Sequence, residues 1–315
     1  MGSNTRGMAL VIVIFILSLM TITAVWLVDV MMISVRRTEN IRDSEQAHQI
    51  AVASEMWGVS VLELDGSEST TDHPAEAWSN LGAGVAMEEG TIETVIIDQQ
   101  GLLNINNLLA EALLEKVPKK NKPTPTVWIP AFKRLLILLE LDESLADAVI
   151  DWMDEDQEVR GINGAEDHTY LGKEPPYRAA NRMFNDISEL IWVKGFDEKI
   201  INKLSPFMTA LPATDVRINI NTAPQLVMRI IGTSTLSKQE AKTLIDDRPL
   251  KEGYTIDAFL KHDRMAGQSE VATRLSGDNS RYFNIVSTVQ YGRANYRMIS
   301  LVNRVGKLTT VVLRR

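Results

Sequence analysis

From Met8 to Val28 the chain runs 21 positions without a charged residue. As a helix rising 1.5 Å per residue this reaches about 32 Å, the thickness of a bilayer's hydrocarbon core. The pattern then turns amphipathic without breaking. No Pro occurs between Val30 and Leu64, the first Gly is Gly58, and Ala47, Ile50, Ala51, Ser54 and Trp57 recur at helical spacing. This predicts one continuous helix to about Leu64, half of it membrane-spanning (8–28). Its far half needs a sheet or other helices to cover its apolar stripe.

The stretch "DGSESTTDHPAE" that follows is made of turn formers and reads as a loop. "GTIETVIIDQQG" alternates Ile92, Thr94 and Ile96 against the opposite face, as a strand ending in a turn does. Near the carboxy terminus "RYFNIVSTVQYG", "NYRMISLVNR" and "LTTVVLRR" read as three more strands, and "GRA" and "GK" suit tight antiparallel turns between them.

Between Leu103 and Gly277 the pattern becomes helical and weakly repetitive. "LNINNLLAEALLEKV" and "VRININ", leading into "TAPQLVMRIIG", both run apolar-Asn-apolar-Asn into a helix. In the second copy Asn221 or Thr222 is placed to cap and Pro224 to open the first turn. Each copy continues into a helix with a similar ending, "SLADAVIDWMD" and "KQEAKTLIDDR". The connector "VPKKNKPTPTVWIP" is predicted to be an exposed loop.

Composition narrows the function classes. Lys plus Arg total 33 against 41 for Asp plus Glu, a net charge of −8, which argues against binding a phosphate backbone. The chain has no Cys and only four His, spread far apart, so neither a disulfide framework nor a thiolate or histidine metal cluster is indicated. No G-x-S-x-G, G-K-[ST] or H-E-x-x-H signature is present, and no enzyme is expected. The opening run is long and ends in "AVWLVDV", with no small-residue cleavage site of the secretory kind. The basic residues flanking it, Arg6 on one side and Arg36, Arg37 and Arg42 on the other, leave its orientation open.

The densest chemistry lies in "DWMDEDQEVRGINGAEDHTY". Asp151, Asp154, Glu155, Asp156, Glu158, Glu166 and Asp167 fall within 17 residues, with Arg160 the one basic side chain among them. Asp151 and Asp154 are one turn apart at a helix end, where the macrodipole disfavours negative charge. The chain then folds back through Gly161 and Gly164. Hard carboxylate oxygens with a carboxamide such as Asn181 nearby suit calcium. The segment does not follow the EF-hand spacing. A solvated acidic loop and a cation site both account for the residues. "NDISEL" has a plain explanation, with Asp186 or Ser188 as a helix cap.

With these features in place, the chain resembles a known family. "MGSNTRG" followed by "MALVIVIFILSLM" looks like the leader of type IV pilins and type II secretion pseudopilins, in which a prepilin peptidase cuts after the Gly, here Gly7, and the new amino terminus, here Met8, is methylated. The fifth mature residue is usually Glu; here it is Ile12. That departure, together with "DW…GAED" and "PYRAAN", is similar to the minor pseudopilin K family (GspK). The resemblance implies an α+β fold: a pilin-like long helix packed on an antiparallel sheet (65–102 and 278–315) after a leader (1–7), with an inserted α-helical domain (103–277) of SAM or helix-hairpin-helix-like type. It implies calcium as a structural cofactor, one or two ions, in a loop spanning 151–181. The implied ligands are Asp151, Asp154, Asp156, Glu166 and Asp167, with Glu158 and Asn181 as further candidates. It implies a single-pass inner-membrane protein with its carboxy-terminal domain in the periplasm. Its role would be to cap the pseudopilus tip and initiate assembly for export across the outer membrane. Pseudopilins I and J, and H, the prepilin peptidase and the inner-membrane assembly platform are the implied partners, with no nucleic acid. A minor type IV pilin, or a single-pass protein with a helix-hairpin-helix-like DNA-binding ectodomain, is the alternative. The turns "LELDES" and "IGTSTLSKQ" lack the Gly-hydrophobic-Gly pattern that DNA-binding hairpins use.

Overall fold

The computed structural model describes residues 5–81, 84–115 and 126–315. Residues 1–4 of the predicted leader and residues 116–125 of the connector lie outside the described residues. Helix α1 spans Thr5–Glu68 without interruption, one turn beyond the predicted end at Leu64. The difference follows from residue content: "DGSE" breaks a helix weakly, and Ser69 N still donates to Asp65 O at 2.9 Å. Strands β1 (Val85–Met87) and β2 (Gly90–Asp98) form an antiparallel pair.

The inserted region begins with β3 (Leu103–Asn104), α2 (Asn107–Glu115), α3 (Trp128–Leu138), α4 (Leu145–Met153) and α5 (Asp167–Tyr170). It continues through α6 (Glu198–Leu204), β4 (Met208–Thr209), β5 (Ile218–Asn219), α7 (Gln225–Met228) and α8 (Lys238–Asp246). It ends with α9 (Ile256–Leu260), α10 (Ser269–Leu275) and β6 (Ser276–Gly277). The chain then returns as β7 (Tyr282–Tyr291), β8 (Ala294–Val305) and β9 (Leu308–Arg314). The five-stranded sheet has the order β1-β2-β7-β8-β9, so the whole helical region is an insertion between two neighbouring strands.

The chain divides into two compact units. The first comprises Met1–Met56, Ala83–Thr94 and Ser287–Met298. Here Ala47 and Ala51 of α1 pack with Val289 and Met298, small residues letting the helix come close to the strands. The Ser54 hydroxyl is part of a hydroxyl cluster rather than an apolar stripe, 2.9 Å from Ser287 Oγ and 2.5 Å from Thr94 Oγ1. His48 Nδ1 meets the Tyr296 hydroxyl at 3.0 Å.

The second unit comprises Trp57–Gly82, Val95–Val286 and Ile299–Arg315, so the predicted pilin-like domain contributes to both units. Trp57, expected on the buried stripe, is half exposed. Leu62, Trp78, Ile96, Phe283, Ile285 and Val302 form a small core, with Gly58 letting the helix backbone approach Ile285. At the end of α1 the buried Arg304 guanidinium pairs with Asp65 Oδ2 at 2.7 Å and with Asp72 Oδ1, so "TTDHP" contains a fixed, buried carboxylate rather than only loop.

The larger core of this unit runs from Leu103 to Leu275. It consists of two versions of one motif. In each, a two-residue strand opens the motif and pairs in parallel with a two-residue strand that closes it: Leu103–Asn104 with Met208–Thr209, and Ile218–Asn219 with Ser276–Gly277. The alternating Asn residues are the staples of this motif, with Asn104, Asn106, Asn219 and Asn221 all buried. Asn221 therefore does not cap α7; its amide reaches Tyr254, and Pro224 holds the cap position. The connector is also corrected at its end, because Trp128 and Ile129 are buried in α3. Glu111 of α2 accepts from the Val127 and Ile129 backbone N–H groups, satisfying the orphan donors of that helix start.

Candidate metal centre

Every residue of α4 is buried, so its carboxy-terminal end delivers Asp151 and Asp154 into the protein rather than to solvent. Asp151 Oδ2 accepts from Arg160 N at 3.0 Å and Ala165 N at 2.8 Å, closing the acidic loop onto the helix. The turn between them is tight: Gly164 N donates to Arg160 O at 3.0 Å, and a Cβ at Gly164 would collide with both Arg160 O and Asp151 Oδ2. Gly161 (φ +57°) adopts the left-handed conformation beside Asp147. Arg160 Nε lies 3.6 Å from Asp147 Oδ1, and Lys194 Nζ donates to Gly164 O at 3.1 Å.

Asp154, the residue that ends α4, Asp156, and Glu166, which precedes α5, each place a carboxylate oxygen within 4.8 Å of the others. Asp154 and Glu166 are buried and Asp156 is half-buried. Two further buried oxygens belong to the same acidic segment, 151–181. Asp151 Oδ1 and Asn181 Oδ1 are buried and accept no hydrogen bond. Asn181 is brought there by its own N–H, which donates to Trp152 O at 3.0 Å, and by a left-handed φ of 50° that its short polar side chain tolerates. Burial, reinforced by the Asp154 charge, raises the Asp151 pKa, opposed by its two backbone donors.

Of the sequence candidates, Asp154, Asp156 and Glu166 converge, with Asp151 and Asn181 at the base of the same loop. Asp167 and Glu158 stand outside the convergent group. Asp167 Oδ1 accepts from Ala179 N at 3.0 Å and its Oδ2 meets Arg178 at 3.3 Å. Glu158 is exposed, and its N–H donates to Asp156 Oδ1 at 2.8 Å. A floor of aromatic rings lies under the loop, with Trp152 edge-on to Tyr170 at 5.0 Å and Tyr170 stacked on Tyr177 at 5.3 Å. Burial pushes the Tyr170 hydroxyl up to about 12. Converging carboxylates and an orphaned carboxamide oxygen are the donor set a hard, flexible-coordination cation such as calcium takes. The residues present fit that ion.

A second group of three acids, Asp65, Asp72 and Glu76, has a different character. Arg304 bridges the first two, and Glu76 Oε2 accepts from His73 N and Trp78 Nε1 at 2.9 and 2.8 Å. This buried network was not anticipated from the sequence. Its acids are scattered among turn formers, and their arginine lies in a distant strand.

A long apolar helix continuing onto an antiparallel sheet, with a two-motif helical insertion bearing an acidic loop, is the pilin-like class of secretion proteins with an enlarged head. Family profiles of type II secretion system protein K match residues 101–213 and 218–276, one for each repeat motif. A type II secretion system protein K of Pseudomonas aeruginosa is 31% identical over 96% of this chain and 90% of that protein. One of Klebsiella pneumoniae is 28% identical over 100% and 97%. A chain in the crystal structure of the GspK-GspI-GspJ complex of enterotoxigenic Escherichia coli superposes with a TM-score of 0.76 and 25% identity, covering 89% of this chain and 98% of that one. This chain belongs to the type II secretion system protein K family. As such it is a structural component of a secretion machine, and Met8–Glu68 contains a segment long and apolar enough to cross a membrane once.

Proposed function

We propose that this protein is the minor pseudopilin at the tip of the periplasmic pseudopilus, where it joins pseudopilins I and J and starts assembly for export across the outer membrane. The observation that carries this reading is the likeness, over nearly the whole of both chains, to a chain solved within the GspK-GspI-GspJ complex. Two features support it. Position 12 is Ile, and no acid occurs from Met8 to Val28, so the helix has no buried carboxylate requiring a cationic neighbour ahead of it. The insertion between β2 and β7 enlarges the head, an obstacle to any subunit stacking above.

In this reading a prepilin peptidase cleaves after Gly7 and Met8 becomes the methylated amino terminus. The assembly platform in the inner membrane receives the 8–28 helix, and the rest of the chain is periplasmic. Calcium is structural, held by Asp154, Asp156 and Glu166 with Asp151 and Asn181 available beside them, and it ties down a loop that a Cys-free chain cannot staple with a disulfide. An ion bound only by the folded state stabilises that state by mass action.

The test is the intact mass of the protein recovered from membranes that contain an active prepilin peptidase, followed by co-purification with pseudopilins I and J. A species beginning at methylated Met8 that retains both partners is expected. An uncut amino terminus, with a control pseudopilin processed in the same cells, would overturn the reading.

A further inference from the structure

Three arginines of the second unit are pulled out of water, and they are satisfied unequally. Arg304 has two carboxylates and the carbonyls of Ser280 and Leu62. Arg134 of α3 donates to the carbonyls of Ile230, Gly232 and Thr233 just past α7, with only its Nε left buried and unpartnered. The Arg248 guanidinium has one acceptor among the described residues, the backbone carbonyl of Ala223 at 2.8 Å. Its Nε is buried with no partner. The acids beside it in sequence are committed elsewhere, Asp246 to Lys242 and Asp247 to His262 at 3.2 Å. Desolvation lowers the Arg248 pKa to about 10.

The guanidinium lines a cavity of about 300 Å³ with Pro74, Asn221, Ile245, Pro249 and Leu250. The rim residue Leu250 is 86% exposed, a large apolar side chain held in water on a Pro-braced loop. A half-buried cation without a counter-ion is destabilising to the isolated fold. Here it lines the same cavity as an exposed leucine, and the two together have the chemistry of an anchor for an acidic side chain with an apolar neighbour.

We propose that this cavity docks a partner protein through a carboxylate side chain seated on Arg248, with an adjacent apolar residue of the partner covering Leu250. The charge selects the partner's chemistry, because Arg248 is the one Lys or Arg among the residues lining the cavity and no Asp or Glu lines it. Nothing in this proposal depends on pseudopilus-tip placement, so its failure would leave that reading intact.

Two measurements on the full-length protein test it. Arg248→Met is expected to leave the thermal midpoint in detergent unchanged or raise it by about 2–4 °C, since it removes a desolvated charge that the isolated fold does not pair. A clear fall would show that Arg248 serves the fold and would overturn the proposal. Second, p-benzoylphenylalanine is placed at Leu250 in cells containing the secretion machinery, and the cross-linked peptide is sequenced by mass spectrometry. A peptide from another protein containing Asp or Glu is expected, with yield falling at least fivefold in R248Q. Combining R248E with Lys at the partner's acid should restore it. Absence of cross-linking, a peptide without an acid, a peptide from a second copy of this chain, or a yield indifferent to R248Q would each overturn it.

Discussion

Asn106 holds Phe184 by both of that residue's backbone polar groups. Phe184 N donates to Asn106 Oδ1 at 2.8 Å, and Asn106 Nδ2 donates to Phe184 O at 2.9 Å. The second motif repeats the clasp: Tyr254 N donates to Asn221 Oδ1 at 2.7 Å, and Asn221 Nδ2 donates to Tyr254 O at 3.0 Å. An asparagine amide has the same donor-acceptor pair as a peptide group, so it can act as one rung of a ladder for a strand that is not there. In the first motif the chain between α4 and the clasped aromatic is long enough to hold the acidic loop; in the second it is short.

Replacing Asn106 or Asn221 with Ala should be among the most destabilising single changes in the insertion. Each leaves a buried N–H and C=O unpaired, at about 1–3 kcal/mol per group. Urea midpoints of the full chain in detergent should fall for both. Asn303→Ala, by contrast, deletes a side-chain oxygen that accepts no hydrogen bond and should cost less.

Stability should fall as pH rises from about 4 to 7. Burial, partly offset by Arg304, raises the Asp72 pKa to about 7, and burial also raises Asp98, which accepts from Thr222, Ser280, Gln100 and Asn219. Carboxylates with raised folded-state pKa values bind more protons folded than unfolded. Their contribution is therefore complete below the unfolded value of about 4 and is lost as pH passes the folded one. Asp72→Asn should flatten this slope in pH-dependent unfolding; an unchanged slope would place the titration elsewhere.

Adding calcium should raise the thermal midpoint, with about 2.7 kcal/mol of stabilisation at a hundredfold excess over the dissociation constant. Asp154→Asn and Glu166→Gln should each abolish the shift. Glu158→Gln, at an exposed carboxylate outside the convergent group, should leave it intact. Calorimetry with and without a chelator reads all three.

Gly164→Ala should damage the loop without touching a candidate ligand. Its Cβ has no space between Arg160 O and Asp151 Oδ2, so the turn that aims Ala165 N at Asp151 must open. A loss of about 1–3 kcal/mol is expected from such overpacking. The calcium-dependent midpoint shift should weaken together with it.

Much of this architecture is legible locally. The charge-free run at 8–28, the unbroken helix beyond it and the alternating strands at both ends of the insertion depend on periodicity and on the absence of breakers, which neighbouring residues alone encode. The acidic loop was visible for the same reason: its carboxylates are dense in sequence. Its division of labour was not. Asp167 sits one residue from Glu166 yet turns to Ala179 and Arg178, because a helix start sends adjacent side chains in different directions. The alternating Asn residues are visible as a repeat, but their partners are not: Phe184 for Asn106 and Tyr254 for Asn221, which the sequence alone offers as a helix cap, lie far along the chain.

The sequence by itself determined the long apolar helix and the order of elements, both properties of short windows in which hydrophobic period and turn chemistry dominate. Only the tertiary structure decided which polar groups are buried together: Arg304 with Asp65 and Asp72, the Asn clasps, the convergence of Asp154, Asp156 and Glu166, and the lone Arg248. Desolvation makes such pairings strong inside the protein, yet it acts through distances in space that no local pattern records.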